Sequence, residues 1–92
     1  MSDKTLIVLG AGESGVGAAI LGKQKGYDVF VSDGGVISDD YKKILEDYKI
    51  RFESGEHKEV FNHQPTLIVK SPGISEKTEL VQHFLEKNIP VI

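Results

Sequence analysis

Three closely spaced glycines form the clearest chemical signal in this sequence. Gly10, Gly12 and Gly15 occur in the pattern G-x-G-x-x-G, directly after the apolar segment Thr5–Leu9. The apolar segment predicts a buried strand, and the helical spacing of apolar residues after the loop predicts a helix. A strand, a glycine turn and a helix start in this order direct free N–H groups and the positive end of the helix dipole towards an anion. The loop therefore predicts a phosphate or nucleotide site. The alternative is a glycine turn that only joins strand to helix.

Each residue of this glycine loop has an expected role. Gly10 permits the tight turn, Gly12 lets the backbone approach a ligand closely, and Gly15 lets the helix pack against the strand. The Ser14 hydroxyl is expected to bond a phosphate oxygen or to cap the helix. We expect the Glu13 side chain to face solvent, because a carboxylate repels a diphosphate, while its backbone N–H faces the anion.

An acidic residue follows the second predicted strand. Asp33 lies 18 positions after Gly15, where dinucleotide-binding folds carry an acid for a ribose hydroxyl. Gly34 and Gly35 come next and leave the rim of the sheet open. These three residues are candidate ligand contacts, and the alternative for Asp33 is a solvated strand end that caps the following turn.

A stiff turn follows a later apolar strand at residues 66–69. Ser71, Pro72 and Gly73 combine a fixed φ angle with a flexible residue, which exposes a hydroxyl and a backbone N–H. This turn is a candidate ligand contact opposite the glycine loop, or a simple connection.

Composition excludes several classes of protein. The 92 residues predict one domain, with the 39% apolar and 27% charged content of an ordinary globular protein. The net charge of −3 argues against nucleic acid as a partner, and no apolar run of membrane length or signal-peptide pattern is present, which predicts a cytoplasmic protein. There are no cysteines, and His57, His63 and His83 lack the spacing of a metal site. The sequence predicts no catalytic residue and no metal ligand.

Alternating strand and helix patterns predict the fold class. The order is β-α-β-α-β-turn-β-α-β, which is typical of an α/β protein with a parallel sheet. We predict a Rossmann-like three-layer fold with five parallel strands in the order 3-2-1-4-5. In this order the segment 50–53, in which apolar and charged residues alternate, lies at an edge of the sheet. Pro90, Val91 and Ile92 begin the fifth strand. The three candidate loops then share one rim, at the switch point between the first and fourth strands.

The motifs at residues 7–15, 31–33, 67–74 and 89–92 together resemble the N-terminal domain of the bacterial Mur ligases. The resemblance covers essentially the whole chain, and its most specific motif is the Ser-Pro-Gly-Ile turn at residues 71–74. Within the family, the residues are most similar to the branch that adds D-glutamate to UDP-N-acetylmuramoyl-L-alanine.

The resemblance implies that this domain binds a UDP-sugar rather than a dinucleotide. Gly12, Glu13 and Ser14 would lie along the diphosphate, residues 33–35 by the uridine, and residues 71–73 beside the diphosphate and the muramoyl sugar. Family members often carry larger or charged side chains after the position of Asp33, whereas this chain has two glycines.

The resemblance also implies a reaction that this chain does not complete alone. ATP would phosphorylate the alanine carboxylate, and the D-glutamate amine would attack the acyl phosphate. ATP and magnesium would bind in domains beyond these 92 residues, so we expect a monomeric, inactive fragment of a longer ligase, without a cofactor of its own.

Two other functions remain open on the residues alone. One is an NAD(P)-binding Rossmann domain of a dehydrogenase or regulatory protein, which shares the glycine loop and the acid at Asp33. The other is a non-catalytic interaction module with a flavodoxin-like or receiver-like shape.

Overall fold

A parallel sheet forms the centre of this protein in a computed structural model that describes residues 4–92. Its strands are β1 (Thr5–Leu9), β2 (Asp28–Asp33), β3 (Arg51–Ser54) and β4 (Leu67–Lys70). They lie in the order β3-β2-β1-β4, and each neighbouring pair is parallel. The predicted α/β class and the strand order 3-2-1-4 are confirmed.

The prediction of a fifth strand is wrong, because the sheet has four strands. Val91 forms only an isolated parallel bridge with Ile68 of β4. The Ile68 N–H donates to the Pro90 carbonyl at 2.9 Å, and the Ile92 N–H donates to the Ile68 carbonyl at 2.9 Å. The Lys70 N–H also donates to the Ile92 carbonyl at 2.8 Å, so the pairing covers residues 90–92 alone and is too short to form a regular strand.

Residues 4–92 contain three α-helices and one short 3₁₀ helix. They are α1 (Glu13–Gln24), α2 (Asp39–Asp47), α3 (Glu79–Leu85) and the 3₁₀ helix Glu59–Asn62. The Ser38 hydroxyl accepts from the Tyr41 N–H and caps α2, and the Thr78 hydroxyl does the same for α3. In contrast, Gly12 begins α1 with no side-chain cap. Within residues 4–92, no helix is long and apolar enough to cross a membrane.

Helices cover both faces of the sheet and form two cores. Leu6 and Val8 of β1 pack in one core with residues of α1 and α2. Ile7 and Leu9 face the opposite side and pack with residues of α3 and the 3₁₀ helix. Burial on both faces explains why β1 is apolar without interruption, and it confirms the three predicted layers.

Candidate functional site

The three candidate loops meet at the carboxyl edge of the sheet. The Gly10 N–H donates to the Ser32 carbonyl of β2 at 2.9 Å, and the Ser71 N–H donates to the Leu9 carbonyl of β1 at 2.8 Å. The chain moves from β1 to β2 on one side and places β4 on the other. The glycine loop therefore lies at the switch point, which is where parallel α/β sheets bind ligands.

The three glycines of the loop meet different structural needs. Gly10 has a φ of +99°, and an added Cβ would come 2.8 Å from Cβ of Ser71. An added Cβ at Gly15 would overlap the carbonyl oxygen of Gly10. Gly12 has a φ of −81°, and an added Cβ there would meet no atom within 4 Å. Packing thus explains the first and third glycines, but the middle one faces open space.

An uncapped helix start opens into that space. The first N–H groups of an α-helix have no intrahelical partner, and Gly12 supplies no side chain to bond them. The side chains of Glu13 and Ser14 are exposed in the first turn of α1. This end of the helix therefore offers backbone donors and the positive end of a dipole to an anion.

A cleft of about 220 Å³ lies between α1 and the end of β4. Ser14, Gly15, Ser71 and Pro72, all predicted site residues, line it with Val8, Val69 and Lys70. The cleft therefore joins the glycine loop to the candidate turn at residues 71–73.

Three local hydrogen bonds stabilise the turn at residues 71–74, on the far side of this cleft. The Ile74 N–H donates to the Ser71 carbonyl at 3.0 Å, and the Lys70 ammonium donates to the Ile74 carbonyl at 3.0 Å. The Gly73 N–H lies 3.4 Å from the Ser71 hydroxyl oxygen and donates to it. Pro72 and Gly73 are exposed at the tip of the turn.

The family model for the MurD N-terminal domain matches residues 5–80 of this chain. This chain belongs to the MurD N-terminal domain family. The resemblance noted from the sequence motifs is therefore confirmed.

Curated relatives of this MurD domain carry one name. UDP-N-acetylmuramoylalanine–D-glutamate ligase of Cytophaga hutchinsonii is 49% identical over 92 residues, covering 100% of this chain and 20% of the relative. The enzyme of the same name from Christiangramia forsetii is 44% identical over 89 residues, covering 97% of this chain and 20% of the relative. The chain thus spans about one fifth of the length of these relatives.

Solved structures support the fold of the MurD domain. A murein peptide ligase from Psychrobacter arcticus matches with a TM-score of 0.84 at 19% identity, covering 97% of this chain and 18% of the other. A pseudomurein peptide ligase from Methanothermus fervidus matches with a TM-score of 0.80 at 24% identity, covering 98% and 19%. At these identities the likeness concerns the fold.

Asp33 of the MurD domain caps the turn that follows it, as one alternative predicted, and it also bonds the glycine loop, which the sequence did not predict. Its Oδ2 accepts from the Ala11 N–H at 2.8 Å, and its Oδ1 accepts from the Gly35 N–H at 2.9 Å. The carboxylate therefore joins the glycine loop to the turn after β2. Gly34 and Gly35 are exposed beside it, on the β2 side of the glycine loop and outside the lining of the cleft.

Sequence reasoning also missed a buried polar network behind this turn. Ser32 is fully buried, and its hydroxyl lies 2.8 Å from Oε2 of Glu53 and 2.7 Å from Nδ1 of His57. Sequence reasoning considered His57 only as a metal ligand. Across residues 4–92, no group of three or more His, Cys, Asp or Glu residues is placed to hold a metal ion. The available signal was a serine inside an otherwise apolar strand.

Glu53 organises this network and the 3₁₀ helix together. Its Oε1 accepts from the N–H groups of Lys58 and Glu59 at 3.0 and 2.8 Å, and its Oε2 accepts from the Val60 N–H at 2.9 Å. Burial raises the pKa of the Glu53 carboxyl, but the hydrogen bonds from these backbones and from the Ser32 hydroxyl outweigh it. The pKa therefore lies below its ordinary value of 4.5.

Proposed function

We propose that this domain binds UDP-N-acetylmuramoyl-L-alanine for an ATP-dependent ligase that adds D-glutamate to it. The product would be a precursor of peptidoglycan. The shared name of the curated relatives supports this substrate and this reaction. The proposed substrate is a nucleotide conjugate made and used with ATP, so we also propose a cytoplasmic location.

The observation that carries the proposal is the open start of α1 at Gly12. Within residues 4–92, no atom lies within 4 Å of where a side chain at this position would begin, and no side chain caps the N–H groups that follow. A diphosphate has the charge and the acceptor oxygens that such a site binds. We therefore assign the diphosphate to the backbone of residues 12–14, with the Ser14 hydroxyl beside it.

The two neighbouring loops would hold the rest of the ligand. The cleft between Ser14 and Ser71 leads from the diphosphate site towards the turn at Pro72 and Gly73, which we assign to the diphosphate and the muramoyl sugar. The turn at residues 33–35 lies on the opposite side of the glycine loop, and we assign it to the uridine. Asp33 would act there mainly by holding the two loops together.

The chemical steps would take place elsewhere in the ligase. Phosphoryl transfer from ATP needs magnesium and a phosphate-binding loop, which we assign to domains beyond these 92 residues. In this proposal the chain binds and orients the UDP end of the substrate and is inactive alone.

An amide NMR titration tests the proposal. The chain is titrated with UDP-N-acetylmuramoyl-L-alanine, UDP and NADH in turn. We expect the two uridine ligands, and not NADH, to shift the amides of residues 10–15, 33–35 and 71–73. Shifts with NADH alone would instead favour an NAD(P)-binding domain, and a lack of response to all three would contradict a nucleotide site in this chain.

A matched pair of variants localises the diphosphate. Gly12→Val places a branched side chain over the uncapped helix start, whereas Gly17→Val adds the same group at another open position one turn further along α1. We expect the first variant to keep a folded spectrum and lose UDP binding, and the second to keep both. Normal binding of UDP by Gly12→Val would contradict the assignment of the loop.

A further inference from the structure

The imidazole of His57 lies beside Gly34, one of the two glycines in the turn after β2. An added Cβ at Gly34 would come 3.1 Å from Nε2 of His57 and 3.2 Å from Cδ2. The ring of His57, a residue that follows β3 in the chain, is therefore in tight contact with the position that a Cβ at residue 34 would take. A polar group from a different segment therefore stands beside Gly34 and Gly35.

The network behind His57 determines which ring nitrogen carries the hydrogen. The Ser32 hydroxyl donates to Oε2 of Glu53, which as a carboxylate only accepts. Since Ser32 has a single hydroxyl hydrogen, its oxygen must accept the 2.7 Å bond from His57, so Nδ1 carries the hydrogen. In the neutral ring Nε2 is then an acceptor.

This acceptor is free to meet a ligand. Within residues 4–92, the one side-chain nitrogen or oxygen that is both buried and unpartnered belongs to His83. The Nδ1 of His57 bonds Ser32, while its Nε2 has no partner in the same part of the chain. It follows that Nε2 of His57 is open to solvent.

We propose that His57 is a specificity-determining residue for the base of the bound nucleotide. Its Nε2 accepts a hydrogen bond from N3–H of uracil, the donor on that edge of the base. Cytosine presents a lone pair at N3 and would leave both acceptors unpaired. The inference rests on the proposed function, since it requires the uridine to lie at residues 33–35.

Two ligands test the inference on the unmodified chain. UDP and N3-methyl-UDP differ only at N3, where a methyl group replaces the hydrogen and removes the donor, and calorimetry measures the affinity of the chain for each. One hydrogen bond to the base predicts that N3-methyl-UDP, and CDP likewise, binds about threefold to tenfold more weakly than UDP.

Two substitutions of His57 test the roles of Nδ1 and Nε2 separately. In His57→Asn the side-chain amide is placed to replace Nδ1 and keep the bond to Ser32, but nothing replaces Nε2. In His57→Gln the amide oxygen reaches the Nε2 position, but the bond to Ser32 is lost. We expect His57→Asn to bind UDP and N3-methyl-UDP equally, and His57→Gln to keep part of the preference for UDP.

The outcomes distinguish this inference from the proposed function. Equal binding of UDP and N3-methyl-UDP by the unmodified chain overturns the role of His57 and leaves the UDP site standing. If His57→Asn keeps the full preference for UDP over N3-methyl-UDP, the role of His57 is likewise overturned and the UDP site stands. If the unmodified chain binds neither UDP nor UDP-N-acetylmuramoyl-L-alanine, the proposed function is overturned, and the role of His57 with it.

Discussion

The Asp33 carboxylate accepts a 2.8 Å hydrogen bond from the Ala11 N–H, which joins the end of β2 to the middle of the glycine loop. Its other oxygen accepts from the Gly35 N–H at 2.9 Å. One side chain therefore fixes the position of the glycine loop relative to the turn after β2. In the proposed function these two loops would contact different parts of a nucleotide. In the proposed site, the two loops would therefore be in place before a ligand binds.

Replacing this carboxylate is expected to loosen both loops. In Asp33→Asn the amide nitrogen must face one of the two N–H donors, so one charge-assisted hydrogen bond is lost. We expect the free energy of unfolding to fall by about 1.5–3 kcal/mol, measured by urea denaturation. Asp28→Asn, at the exposed opposite end of β2, is the control. Equal stability of the two variants would show that the Asp33 contacts contribute nothing measurable.

Alanine substitutions distinguish the tightly packed Gly15 from the open position of Gly12. An added Cβ at Gly15 overlaps the Gly10 carbonyl, whereas one at Gly12 meets open space. We expect Gly15→Ala to lower the free energy of unfolding by at least about 3 kcal/mol, and Gly12→Ala to lower it by no more than about 1 kcal/mol. Thermal unfolding followed by circular dichroism measures both, and a stable Gly15→Ala variant would refute the predicted overlap.

The lowered pKa of Glu53 predicts a pH dependence of stability. Because hydrogen bonds hold the folded-state pKa below the ordinary value of 4.5, the ionised carboxylate stabilises the fold above that pH. The stabilisation is lost as the pH falls below 4.5 and through the lower folded-state value. Glu53→Gln should therefore be less stable than the unmodified chain at neutral pH, with a gap that narrows as the pH falls below 4.5.

Urea denaturation at several pH values measures that gap. Glu56→Gln removes an exposed carboxylate from the same loop, and we expect it to leave stability unchanged at neutral pH. A gap for Glu53→Gln that stays constant from neutral to acidic pH would contradict the proposed role of the ionised carboxylate.

Local patterns in the sequence predicted the four observed strands, the helices and the edge of the sheet at which the candidate loops meet. The apolar run of β1 required burial on both faces. Gly10 and Gly15 marked a turn whose geometry admits no side chain, and this too is a local requirement. The alternation of strands and helices then determined the parallel order, so the three candidate loops had to share one edge.

Only the tertiary structure decided how distant side chains meet at that edge. Ser32 lies 21 positions from Glu53 and 25 from His57, and hydrogen bonds between them depend on side-chain directions that no local pattern specifies. The same holds for the bond from Ala11 to Asp33, which replaced the expected solvated or ligand-facing carboxylate with a link between loops. Strand pairing at the sheet edge was also a tertiary outcome: the apolar character of Val91 favoured a fifth strand, but its pairing with β4 is limited to residues 90–92.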